Sequence, residues 1–172
     1  MKIRLFAIVG LLCAGMLNAA EPQWLRVDIR NYASGQTELT PGVAEGGTLE
    51  RPKPTALRAS FPASHEWQEH SFTFTPQEDG VLTVHLMGQW RPKEEDRRWV
   101  LFDQVEVDKT RLFKDGGSGW WQAGGKKAEI LPENADRKGR ILKVNHDNGF
   151  MQRIPVKKNR AVTVTFFGKL AD

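Results

Sequence analysis

Short runs in which apolar and polar residues alternate recur along the chain, with the period of a strand rather than of a helix. WLRVDIR (24–30) sets Leu25, Val27 and Ile29 on one face. HSFTFT (70–75) opposes Phe72 and Phe74 to Ser71, Thr73 and Thr75, and GVLTVHLMGQW (80–90) opposes Leu82, Val84 and Leu86 to Thr83, His85 and Met87. RRWVLFDQVEV (97–107) is apolar on both faces at its start and then alternates. Further runs at 140–145, 150–156 and 160–168 complete the set, and the segments PQEDG, RPKEED, DGGSG and VKKNR between runs are rich in turn-forming residues. This pattern predicts an all-β domain, an antiparallel sandwich or barrel. Between Tyr32 and His65 the alternation dissolves into SGQTELTPGVAEGGTLERPKPT. The Gly and Pro content there predicts a long crossing connection containing one short strand, or a mobile surface loop.

Composition changes the picture mainly at the N-terminus. MKIRLFAIVGLLCAGMLNAA begins with Lys2 and Arg4, runs apolar from Leu5 to Leu17 and ends on small residues. That is the pattern of a cleaved signal peptide spanning 1–20, followed by a single domain at 21–172 in a secreted or periplasmic protein. The apolar run is short of the roughly 20 residues a spanning helix needs, so no transmembrane segment is expected in the mature chain. The one cysteine, Cys13, leaves with the signal, so the mature domain holds together without a disulfide. Removing Lys2 and Arg4 and no acidic residue lowers the net charge from +4 to +2. Lys and Arg are interspersed with Asp and Glu, which argues against a nucleic-acid partner.

The block HEWQEHSFTFTPQEDGVLTVHLMGQWRPKEEDRRWVLFDQVEVDKTRLFKDG (65–116) resembles the carbohydrate-binding modules of families four, nine and twenty-two, which have a galactose-binding-like jelly-roll fold. Shared features are Trp67 before a strand, the FTFTP strand, the Asp79-Gly80 turn, LTVHLMG ending on glycine, and a strand reading V-L-F-D-Q-V-E-V at 100–107. A second echo lies in GRILKVNHDNGFMQRIPVKKNRAVTVTFFGK (139–169), carried by Gln152 to Val156. The resemblance implies a single antiparallel β-sandwich of jelly-roll type and a glycan ligand. It also implies a structural calcium at Asp103, whose second carboxylate would have to come from Asp115 or Glu21 because the family's phenylalanine-glutamate pair is missing here. The alternative for Asp103 is to cap a turn or pair with an arginine.

Six tryptophans and one tyrosine make aromatic platforms the leading candidates for chemistry, since an indole face packs against the C–H bonds of a sugar ring. Trp90 ends a strand beside a polar loop, and its neighbours Gln89 and Arg91 can hydrogen-bond hydroxyls. In DGGSGWWQAGG (115–125) the adjacent indoles of an extended strand point to opposite faces, so Trp120 and Trp121 cannot both enter one core. By the family echo Trp120 takes the packed position and Trp121 the surface. Trp67 and Trp99 are expected in the core. His70 and His85 would face each other if their strands paired, but no H-x-H or H-E-x-x-H spacing is present. No nucleophile elbow or carboxylate pair can be assembled, so the chain is not expected to be an enzyme. The expectation is a binding protein that grips a glycan through Trp90, Trp121, Gln89 and Arg91. The alternative is an envelope protein-interaction or assembly subunit on the same sandwich.

Overall fold

The computed structural model describes residues 22–32, 37–112, 119–132, 137 and 139–171. The expected signal peptide, and with it Glu21 and Asp115, lies outside the described residues.

Two antiparallel sheets account for the described chain, which has no α-helix and one 3-10 turn at Glu94–Asp96. The strands are β1 (Trp24–Asn31), β2 (Leu39–Glu45), β3 (Thr48–Lys53), β4 (Ala56–Pro62), β5 (Gln68–Pro76), β6 (Gly80–Gly88) and β7 (Val100–Val107). They continue as β8 (Thr110–Arg111), β9 (Trp120–Gly124), β10 (Glu129–Leu131), β11 (Ile141–Val144), β12 (Asn148–Val156) and β13 (Val162–Leu170). One sheet has the order β3-β4-β1-β6-β12-β9, the other β10-β11-β7-β13-β5-β2, with β8 hairpinned onto β7.

The alternation in the sequence places the core between these sheets. Leu25, Val27 and Ile29 of β1 and Leu82, Val84 and Leu86 of β6 meet Phe72 and Phe74 of β5 and Phe166 of β13 in one buried cluster. The rings of Phe61 and Phe166 meet edge to face at 5.5 Å, the arrangement their quadrupoles favour. One irregularity shifts the phase of β7. Gln104 has φ +49°, and its N–H is held at 2.7 Å by Asp103 Oδ1, so a bulge lets Phe102 and Val105 both face inward.

The stretch expected to be a long connection with one short strand, or a surface loop, holds three strands instead. β2 is an edge strand that accommodates Pro41, which has no N–H to give. Gly46, at φ +70°, then turns the chain into β3 on the opposite sheet. β4 alternates Leu57, Ala59 and Phe61 inward.

Four pairings define the topology: β7 with β11, β6 with β12, β5 with β13, and β4 with β1. Both ends of the described chain reach the corner after β4, where Ala63 N–H donates to Gln23 O and Leu170 N–H to Ser64 O.

Candidate functional site

Burying Leu25, Val27 and Ile29 turns Trp24, Arg26, Asp28 and Arg30 onto the outer face of the six-stranded sheet. Register carries a row across that face: Arg58 on β4, Asp28 on β1, His85 on β6, Met151 on β12 and Trp121 on β9.

Asp28 is only 2% exposed although it lies on an outer face, because arginines cover it. Arg26 grips it with both Nε and Nη2 at 2.7 Å, and Arg30 Nη2 donates at 2.5 Å. Burial pushes the Asp28 carboxyl up, but the hydrogen bonds and charges of Arg26 and Arg30 outweigh it and hold the carboxyl below its ordinary value. Arg58 stands further off, its Nε 3.6 Å from Asp28 and its Nη1 3.8 Å from Glu50, and its buried Nε has no hydrogen-bond partner.

Beside Asp28, His85 fits because residue 149 is glycine: a Cβ there would collide with His85 Nε2 and come within 2.7 Å of Leu86 O. Both His85 ring nitrogens are buried without a hydrogen-bond partner. Desolvation, aided by the Arg30 charge, pushes its pKa down to about 4, so the ring is neutral near pH 7.

At one end of this face, a concavity of about 380 Å³ is walled by Trp24, Trp90, Gln89, Arg26, Arg58 and Glu50. The Trp90 indole is 54% exposed, and Gln89 Oε1 is buried without a partner. A second concavity of about 360 Å³ continues along β1 and β4, past Arg58 to Arg30 and Lys53. Arg58 lines both and stands between the two parts of this grooved face.

The structure thus brings Gln89 and Trp90 together with Trp24, Arg26 and Arg58, which the sequence reading left out. Trp24 had a legible signal, being opposite the apolar positions of its own strand. Arg91 lies apart from the groove wall and donates from Nη2 to Pro22 O at 3.2 Å, which ties down the approach to β1. Trp121 is half-buried on the same face, but β9 lies three strands from β1, about 14 Å at ordinary strand spacing, and Trp121 stands level with Asp28 rather than with Trp24. Arg153 lies 5.3 Å from its ring and 3.6 Å from that of Tyr32, whose hydroxyl it also hydrogen-bonds. Trp120, one residue earlier, joins the core cluster.

Asp103 faces outward from the other sheet and is buried. Arg111 and Arg137 each bring a nitrogen to 3.8 Å of its carboxylate, and Arg137 also lies over the rings of Trp67 and Phe167 at 4.8 and 4.1 Å. Burial pushes the Asp103 carboxyl up from its ordinary value. Among the described residues no cluster of three or more His, Cys, Asp or Glu side chains could hold a metal ion. Asp103 is paired with arginines here, the alternative weighed for it from the sequence.

Other expectations are corrected. Trp67 and Trp99 are half-buried outside the core, Trp99 with Lys143 5.3 Å over its ring. His70 and His85 belong to different sheets, with His70 packed 4.9 Å from Phe61 and 5.4 Å from Phe166. A larger concavity of about 640 Å³ lies near Trp99, and part of its polar lining is engaged: Arg97 with Asp147 at 2.6 Å, Lys143 with Glu129 at 3.0 Å, and Asn145 with Asn148. The chain matches no protein-family model, no curated protein and no solved structure with which it was compared.

Proposed function

We propose that this protein is a non-catalytic glycan-binding module, secreted or periplasmic, whose ligand lies in the groove on the outer face of the six-stranded sheet. One observation carries the reading: two indoles, Trp24 and Trp90, share a polar concavity with the side chains of Gln89 and Arg58, whose Oε1 and Nε are buried without a hydrogen-bond partner. A sugar offers what such a site lacks, an apolar ring face together with hydroxyls that both donate and accept. Both carboxylates on the groove, Asp28 and Glu50, are in ion pairs with Arg58, which favours binding over acid–base chemistry.

The fold reading is a jelly roll. Pairings of β7 with β11, β6 with β12 and β5 with β13 are those of one long hairpin rolled up, and β1 stands beside β4 where a strand following β13 would arrive. The block resembling carbohydrate-binding modules covers β5 to β8 of this roll.

A protein-interaction role calls for a broad apolar patch. The exposed large hydrophobic residues described, Tyr32, Val43, Val81 and Trp90, are dispersed: Val43 is on the other sheet, and Val81 and Trp90 are at opposite ends of β6.

The test is binding to soluble and insoluble polysaccharides by titration and pull-down. Trp90→Ala and Trp24→Ala should each weaken binding by about 1–3 kcal/mol while leaving cooperative unfolding intact. Binding unchanged in both variants would place the ligand elsewhere.

A further inference from the structure

We infer that the groove is built for an acidic sugar, with Arg58 as the receptor for a carboxylate or sulfate group on the glycan. The inference rests on the glycan-binding reading of the groove and adds the class of ligand.

Cations outnumber anions along it. Arg26, Arg30, Arg58 and Lys53 line the two concavities against Asp28 and Glu50, a surplus of two positive charges. The acids do not use the arginines equally. Asp28 spends its hydrogen-bonding capacity on Arg26 and Arg30, at 2.5–2.7 Å, and neither Asp28 nor Glu50 comes closer than 3.6 Å to Arg58. Arg58 is therefore held in place by charge but not by hydrogen bonds to either acid, and it lines both concavities.

A guanidinium presents N–H groups in a planar fork that matches the two oxygens of a carboxylate or sulfate, whereas a neutral hydroxyl can take only one of them. Low surrounding dielectric strengthens such a pair. Trp24 and Trp90 line the same concavity as Arg58, so a pyranose stacked there can direct an acid substituent toward the guanidinium.

The experiment compares polygalacturonate, alginate and dextran sulfate with uncharged dextran and xyloglucan, using the purified protein and three variants. Arg58→Gln removes the proposed receptor. Trp90→Ala removes the platform, and Arg160→Gln removes one charge from the exposed turn between β12 and β13 as a control. Thermal unfolding checks that each variant is folded. At least one acidic polymer should bind tenfold or more tighter than the uncharged ones. Arg58→Gln should erase that margin, Trp90→Ala should lower all binding, and Arg160→Gln should change little. Whether the margin appears with the uronates or with dextran sulfate identifies the anion. Acidic polymers bound no tighter than uncharged ones, with Arg58→Gln without effect and binding lost in Trp90→Ala, would overturn the acid-sugar inference and leave the glycan-binding reading standing. Acidic binding weakened as much by Arg160→Gln as by Arg58→Gln would reduce it to net charge and also overturn it. No binding to any polymer would remove both.

Discussion

Asp28 decides the charge geometry of the groove, because it is a buried acid compensated by the arginines around it. Asp28→Asn leaves Arg26, itself only 12% exposed, without its anion, and should cost about 3 kcal/mol of folding stability in urea unfolding. Arg30→Gln, at an exposed position, should cost less than about 1 kcal/mol. The pH dependence has a definite sign at two residues. His85 resists protonation down to about 4, whereas unfolding returns it to an ordinary 6.5, so the unfolded state binds the extra proton in that window and stability falls as pH drops from 6.5 to 4. The groups facing His85 are Arg26, Asp28 and Arg30 of β1, His146 from the β11–β12 turn, and the uncharged Gly149 and Met151 of β12. The Asp28 carboxyl is held low, so its contribution is present above the ordinary carboxylate range and is lost as pH falls through its folded value. Urea unfolding at pH 7.5, 5.5 and 4.5 should trace the first loss. His85→Gln should flatten it partly, since burial also lowers His70 and His146. A slope unchanged in His85→Gln would assign the loss to those other histidines.

At the scale of elements, what alternation could encode was legible and what pairing had to supply was not. β1, β5, β6 and β13 each bury one face against the core, so their period-two signal is complete in the sequence. β2 and β3 lie at sheet edges and are mostly exposed, so no apolar alternation marks them, and Pro41, Gly42 and Pro52 read as loop. β4 does alternate, but Pro54 and Pro62 at its borders disguise it. The site follows the same logic. Trp90 and Gln89 were visible at the end of a strand, whereas their meeting with Trp24 depends on β1 pairing with β6 in the register Leu25 to Gly88, and Arg58 comes from β4. Such long-range register leaves no local trace. It does leave a testable tolerance: Gly149→Ala should cost about 1–3 kcal/mol, because the added methyl has to displace His85 or the backbone at Leu86. A melting temperature unchanged in that variant would mean that His85 has room to move.

At the scale of the whole molecule, two sheets enclose a single core, and the two ends of the described chain meet at the corner after β4. Gln23 and Leu170 bond to the adjacent residues Ala63 and Ser64, so β1 occupies the place a final strand would take. A circular permutant in which a short linker joins 171 to 22 and the chain opens between β1 and β2 should therefore fold cooperatively, with its groove intact. Failure to fold would contradict the rolled-hairpin topology. The binding claim is tested most directly by following the indole N–H resonances of the protein while the glycan panel is titrated in. The account predicts that Trp24 and Trp90 shift together and saturably with an acidic polysaccharide, while the core indole of Trp120 stays in place. Shifts confined to Trp67 or Trp99, or none with any polymer, would contradict it.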